Sequence, residues 1–109
     1  MKELPPIPTA FTSAVASREF VVLIDEVSTS VLFEVGIPTQ DVATVEGFDW
    51  RCPIRIMEGD LLRERQAFGV DSFQALQLGL RIVEDEATLM SSAEDSTVLL
   101  FGAVFEPNG

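Results

Sequence analysis

The chain has 109 residues and a formal net charge of −11, from 18 acidic and seven basic side chains, with no histidine, no tyrosine and one cysteine. That composition excludes Ser-His-Asp and Cys-His catalysis, zinc sites of the imidazole or multi-thiolate kind, and any internal disulfide. At 47% hydrophobic residues the chain is too apolar to be disordered throughout, yet it lacks the run of about twenty apolar residues that a membrane-spanning helix needs.

Residues 1–17 read as an extended, proline-rich lead-in (Pro5, Pro6, Pro8) ahead of a single domain over 18–109. The prolines and Glu3 interrupt the place where the apolar core of a secretory signal would lie, so a cytoplasmic protein is expected, in keeping with a free cysteine. Glu19 to Val27 carries Phe20, Val21, Val22, Leu23 and Ile24, apolar on both faces, and predicts a central strand. Ser28-Thr29 is the expected turn. From Ser30 to Gly36, Val31, Phe33 and Val35 share one face opposite Ser30 and Glu34, the alternation of a half-buried strand. Gly36-Ile37-Pro38 ends it. Thr39 to Phe48 is polar and acidic and reads as a loop that turns at Gly47.

Asp49 to Met57 alternates most cleanly: Trp50, Cys52, Ile54 and Ile56 face one way, Arg51, Pro53 and Arg55 the other. Pro53 has no backbone donor, so the strand is expected at an edge, or Pro53 where no ladder bond is needed. Glu58-Gly59-Asp60 makes the turn into Leu61–Phe68, whose sparse apolar pattern leaves its register open. A two-residue turn sets Arg55 opposite Glu64, and Ile54 and Ile56 opposite Arg65 and Arg63.

Asp71 to about Ser91 is the one long helix, with Asp71 as N-cap and Gln74 completing a capping-box-like pair. Phe73, Leu76, Leu80, Val83 and Ala87 form its apolar stripe, widened by Ala75, Leu78 and Ile82. Gly79 costs about 1 kcal/mol relative to alanine in a helix and is expected where the helix comes close to a sheet. Ser92 to Ser96 links to a last strand, Thr97–Phe105, followed by a polar tail. The expected class is α+β: an antiparallel sheet of about five strands, in the order β-β-β-β-α-β, covered by one long helix.

Two segments carry resemblances. Phe68-Gly69-Val70-Asp71-Ser72-Phe73-Gln74-Ala75-Leu76 resembles the phosphopantetheine attachment motif of acyl and peptidyl carrier proteins, where Asp-Ser-Leu stands at the start of a helix. The resemblance implies a prosthetic arm on Ser72, with Phe73 in place of the leucine, and a four-helix bundle, against which the strand pattern of residues 19–68 argues. A glycine turn, an Asp/Ser cap and an amphipathic helix account for the same residues without chemistry. Trp50-Arg51-Cys52-Pro53-Ile54-Arg55-Ile56, taken with Phe68 through Leu78, is similar to a family of small bacterial proteins of uncharacterised function. They share a Trp-x-Cys strand and a Gly-x-Asp-Ser/Ala-x-Gln-Ala-Leu helix. That similarity implies an α+β domain of bacterial source and brings no catalytic residues.

Cys52 as a nucleophile needs a neighbouring base; with no histidine, and Arg51 and Arg55 on the opposite face, it reads as a buried structural thiol. Arg51, Arg55, Arg63 and Arg65 suggest either an anion-binding patch or cross-strand ion pairs on a solvated face, and the interleaved acids favour the pairs. Residues 51–65 are net +1, which leaves −12 on the rest of the chain. Such a field repels nucleic acid and anionic lipid and favours basic partners, although acidity also serves solubility alone. Glu84, Asp85, Glu86, Glu94 and Asp95 oppose the macrodipole near the helix C-terminus without forming a calcium loop; they read as a solvated end or as a docking surface.

The expectation is a non-enzymatic, acidic protein-interaction module with no catalytic residue, metal or cofactor. One version is an immunity- or inhibitor-type protein that caps a basic toxin or nuclease. The alternatives are a carrier-like protein modified on Ser72, and a structural subunit that homo-oligomerises through a strand edge near Pro53.

Overall fold

Seven strands and one helix make up the computed structural model, which describes residues 3–107: β1 (Ala14–Ile24), β2 (Val27–Gly36), β3 (Thr39–Thr44), β4 (Gly47–Glu58), β5 (Leu61–Gly69), α1 (Ser72–Ser92), β6 (Ser96–Leu100) and β7 (Ala103–Val104). The class is α+β, with every strand pairing antiparallel, as expected, but with seven strands rather than about five.

One added strand comes from the predicted loop. β2 pairs with β4 from Val31↔Glu58 to Val35↔Ile54, and β3 then pairs with the same strand from Thr39↔Arg51 to Thr44↔Gly47. Residues 27–44 therefore form one long ribbon, bent at Gly36-Ile37-Pro38, and the polarity of Thr39-Gln40-Asp41 concealed its second half. β4 is consequently an interior strand, not an edge, and a homo-oligomer edge at Pro53 does not exist. Pro53 falls in the gap between the β2 and β3 pairings, a place open to a residue without a donor. The other added strand arises where Phe101 and Gly102, with φ of 54° and 79°, fold the predicted Thr97–Phe105 strand into the β6–β7 hairpin.

The first turn is also displaced. It lies at Asp25-Glu26, with φ of 49° and 68°, so that Ile24 pairs with Val27. Two successive left-handed residues are the geometry that matches strand twist in a two-residue hairpin. A glutamate in this conformation is uncommon, which is why Ser28-Thr29 looked the better turn. The β4–β5 hairpin instead follows the two-residue rule, with Gly59 at φ 58°, Arg55 opposite Glu64, and Ile54 and Ile56 opposite Arg65 and Arg63.

In space the order is β5, β4, the β2/β3 ribbon, β1, β6 and β7. α1 connects β5 to β6 and so crosses one face of the sheet. Its N-cap is Asp71, whose Oδ1 accepts from the Gln74 N–H at 2.7 Å, while Gln74 Oε1 accepts from the Val70 N–H at 2.8 Å. The buried face differs from the predicted stripe. It is a row of mostly small residues at four-residue spacing, Ala75, Gly79, Val83 and Ala87, whereas Phe73 and Leu80 are 68% and 43% exposed. Small side chains let the helix backbone come close. A Cβ at Gly79 would stand 2.8 Å from Cys52 Sγ, so the close approach expected of that glycine is present. Beneath the helix lie Phe20, Phe33, Val35, Cys52, Ile54 and Ile56.

The opposite face is only partly covered. The lead-in lies over Arg51, Pro53 and Arg55: the Pro8 carbonyl accepts from Gln66 Nε2 at 3.0 Å, Thr12 Oγ1 donates to the Ile37 carbonyl at 2.9 Å, and the Ile37 N–H donates to the Ser13 carbonyl at 2.8 Å. Arg51 is thereby 2% exposed. Further along this face Met57, Leu62 and Val104 are 39%, 51% and 61% exposed. The result is a thin, elongated molecule of 56 × 28 × 24 Å with a radius of gyration of 16.1 Å, against about 13 Å for a round domain of this size. Its surface, 7320 Å², exceeds the roughly 6,000 Å² that size alone predicts.

Candidate functional site

The four arginines of residues 51–65 do not form a patch. Alternation sends Arg51 and Arg55 to the face away from α1, and Arg63 and Arg65 to the face beneath it, since their cross-strand partners Ile56 and Ile54 are core residues. Each has a carboxylate. Arg51 Nε meets Asp41 Oδ1 at 2.8 Å, and its Nη1 donates to the Ala10 carbonyl and to Gln66 Oε1, both at 2.8 Å. Arg55 donates from Nε and Nη2 to Glu34 Oε1 at 3.0 and 2.8 Å, and its guanidinium lies 4.3 Å from the centre of the Phe11 ring. Arg63 and Arg65 share Glu86 Oε1 at 3.1 and 3.4 Å. The expected ion pairs are there, but the solvated face expected for Arg51 is buried.

This arrangement also corrects the acidic set. Glu86 is 8% exposed and clamps α1 to β5, so it is not part of a docking surface. Glu84 and Asp85 are exposed on α1, and Glu94 and Asp95 are exposed in the turn after it. Ser72 is the exposed first residue of α1. It stands on a lone helix against a sheet, and the four-helix bundle implied by the carrier resemblance is not the fold.

Cys52 is fully buried, with Sγ donating to the Gly36 carbonyl at 3.3 Å. Burial pushes its thiol up from 9.0 to about 11. The neutral thiol is thus favoured in the folded state, and the folded chain holds a proton that the unfolded chain loses. Stability contributed by this group is present below pH 9 and falls as the pH rises toward 11. Denaturant midpoints measured across that window should decline in the native sequence and decline less in Cys52→Ala. Alkylation of the native thiol at pH 8 should proceed only as fast as the protein opens.

The register assembles a site that no single segment displays. Ile24 pairs with both Val27 and Ser96, so the Asp25-Glu26 turn stands beside the Glu94-Asp95 turn. Val31 pairs with Glu58, and the Gly59 N–H donates to the Ser30 carbonyl at 3.2 Å, which brings Glu58 and Asp60 to the same end. Three turns thus place six exposed carboxylates at one end of the sheet. Large apolar side chains open to water flank them on both faces: Ile24, Val27 and Leu61, 47%, 64% and 57% exposed, on the α1 side, and Leu62, 51% exposed, on the other. A shallow cavity of about 200 Å³ is lined by Met57, Gly59, Asp60, Leu61, Leu62 and Arg55. Asp25, Glu26 and Asp95 all hold positive φ, so acidic residues occupy turn positions that glycine fills more easily.

Sequence reasoning singled out Glu94 and Asp95 but not Asp25, Glu26, Glu58 or Asp60. The available signal was that each acidic pair sits at a turn between apolar runs; joining them required the strand register. Among the described residues, no group of three or more potential ligands is placed to hold a metal, and no helix is long and apolar enough to cross a membrane. The family model of a domain of unknown function, DUF6968, matches residues 16–103. No curated protein and no solved structure matches the chain.

Proposed function

The chain belongs to the DUF6968 family, and we propose that it works as a non-enzymatic interaction module that takes a basic protein partner on the acidic end of its sheet. The observation that carries this reading is the placement of Asp25, Glu26, Glu58, Asp60, Glu94 and Asp95 at one end of the sheet, beside exposed Ile24, Val27 and Leu61 on its α1 face. A charged surface steers a complementary partner and sets the salt dependence of its association. The apolar side chains supply the contact area that holds the pair together once water is expelled. The chain's charge of −11 repels a second copy and anionic polymers alike. The free edge offered by β5 agrees: a symmetric antiparallel pairing centred on Arg63, Glu64 or Arg65 would set like charges opposite each other. An inhibitor that covers the cationic surface of a toxin or nuclease is the specific form this reading takes.

The test is capture of partners from a bacterial extract by the native chain and by a variant carrying Asp25→Asn, Glu26→Gln, Glu58→Gln and Asp60→Asn. The expected partner is rich in lysine and arginine, and its affinity falls about tenfold or more in the variant and again with added salt. A partner held equally by both chains, or insensitive to salt, overturns the proposal, as does recovery of no partner at low salt.

A further inference from the structure

β5 leaves one side of the sheet open along its length. The two-residue turn at Gly59-Asp60 makes Glu58 and Leu61 a hydrogen-bonded pair, so Leu61, Arg63, Arg65 and Ala67 direct their N–H and C=O groups to β4. Leu62, Glu64, Gln66 and Phe68 direct theirs outward, where no further strand and no other backbone group meets them among the described residues. We propose that this outer edge of β5 takes an extended strand of a partner protein, seated beside one flank of α1, with a basic residue opposite Glu64 and an acidic residue opposite Arg65. The edge is a surface distinct from the acidic end, and the proposal does not rest on the docking reading.

The edge is regular and apolar. β5 pairs with β4 from Trp50↔Gly69 to Glu58↔Leu61 without a bulge, and it contains no proline. The other free edges are short or broken: β7 has two residues, and the ladders of β3 and β1 shift register at Thr39/Val42 and Ala14/Ala16. A long, regular edge is a template for pairing unless it is blunted. Here Leu61 on the α1 side and Leu62 and Phe68 on the other stay 57%, 51% and 41% exposed beside the open backbone. The helix adds a wall. Ala75 packs on Gly69 at the end of β5, Gly79 lies over Cys52 on β4, and Glu86 reaches Arg63 and Arg65. A turn of about 100° per residue sets Leu78 and Ile82 further toward the open side than any of these. Leu78 is 39% exposed and Ile82 partly buried, so they overhang the edge near Ala67 and Arg65. An added strand sends alternate side chains beneath that overhang and the others toward Leu62, Glu64 and Phe68.

The charges along the edge select the strand. Arg63 and Arg65 share the one Glu86 carboxylate, which leaves a positive charge in excess on the α1 side. Glu64, on the other side, makes no ion pair among the described residues, because Arg55 across the ladder gives both its bonds to Glu34. Opposite charges across a strand pair are favourable and like charges are not, so the partner carries an acid facing Arg65 and a base facing Glu64. An apolar residue opposite Ala67 fills the space beside Leu78. A small residue opposite Gln66 clears the lead-in, whose Pro8 carbonyl accepts from Gln66 Nε2.

The probe is the end-capped peptide Val-Ile-Thr-Glu-Lys-Thr-Val, which runs antiparallel to β5 with its lysine opposite Glu64. It is added to the full chain and followed by backbone amide NMR and hydrogen exchange. Saturation by about 1 mM peptide is expected. Exchange should slow at Leu62, Glu64, Gln66 and Phe68 and stay unchanged at Arg63 and Arg65, whose amides β4 already holds. N-methylation of the peptide lysine, whose N–H faces β5, should weaken binding about tenfold or more, while N-methylation of its glutamate, whose N–H faces away, should change it less than about twofold. Glu64→Lys should weaken binding severalfold, and glutamate in place of the peptide lysine should restore it. Equal losses from the two methylations, protection without the alternation, no rescue by the charge exchange, or no saturation overturns the proposal. So does protection of the same amides that rises with concentration of the chain alone, which would give the edge to a second copy.

Discussion

Replacing Arg51 with methionine is expected to lower the unfolding free energy by about 3 kcal/mol and to release the lead-in from the sheet. Arg51 is 2% exposed and lies at the centre of the face away from α1. Its guanidinium joins Asp41 on β3, Gln66 on β5 and the Ala10 carbonyl of the lead-in. Methionine retains most of the volume, so the loss does not come from a cavity. It comes from leaving Gln66 Oε1 and the Ala10 carbonyl without a donor in a covered position, and from leaving the Asp41 carboxylate, 30% exposed, without its counter-charge. In a domain of this size such a loss lowers the melting temperature by roughly 10–20 °C. Chymotryptic cleavage after Phe11 should accelerate under native conditions, because the Ala10 carbonyl is no longer held. The companion Glu86→Gln change, in which Arg63 and Arg65 are 41% and 46% exposed and remain hydrated, should cost much less. A loss for Arg51→Met no larger than that of Glu86→Gln would show that the lead-in does not seal this face in solution.

The burial of Arg51 marks where legibility in the sequence ends. Alternation in Trp50-Arg51-Cys52-Pro53-Ile54-Arg55-Ile56 names the two faces correctly, because side-chain direction along a strand is a local property. It cannot say which face is dry. A residue some forty positions upstream decides that, and an extended, proline-rich segment advertises no partner. The same division runs through the rest of the molecule. The β4–β5 register was legible only conditionally: the sparse apolar pattern of Leu61–Phe68 left it open, and the two-residue turn at Gly59-Asp60 is what sets it. The Asp25-Glu26 turn was hidden because apolar residues crowd both its sides and neither turn residue is glycine. β3 was hidden because its pairing is a continuation of β2 around a bend, and its polar residues look like a loop in isolation.

The candidate site divides in the same way. Glu84 to Glu86 read as one acidic run, yet neighbouring positions on a helix point in different directions: Glu86 turns inward to Arg63 and Arg65 while Glu84 and Asp85 remain outside. Acidity of the whole chain was evident from composition. Its concentration at one end of the sheet depends on the pairings of β1 with β6 and of β2 with β4, contacts that link residues 24 and 96, and 31 and 58. A non-local pairing determines this surface, so no window of sequence contains it.

The helix–sheet contact supplies the second large effect. Gly79→Val is expected to destabilise the fold by about 2–3 kcal/mol, although valine is the better helix residue by a few tenths of a kcal/mol. The first added carbon would already stand 2.8 Å from Cys52 Sγ, 3.4 Å from Cys52 Cβ and 3.5 Å from Ile54 Cδ1. These groups lie on β4, which is paired on both sides, so the sheet has little room to retreat. The helix must move instead, and its displacement opens gaps around Ala75, Val83 and Ala87. Cys52→Ala on its own should cost about 1–2 kcal/mol, through the lost contacts of a buried sulfur. In the Gly79→Val background the same change removes the atom in the way, so the double variant should be more stable than Gly79→Val alone. A coupling of at least about 1 kcal/mol in that cycle, read from denaturant midpoints at constant slope, is the expected result. Additive effects would mean that the helix already stands off the sheet at residue 79, and that the row of small side chains along α1 is not what sets their separation.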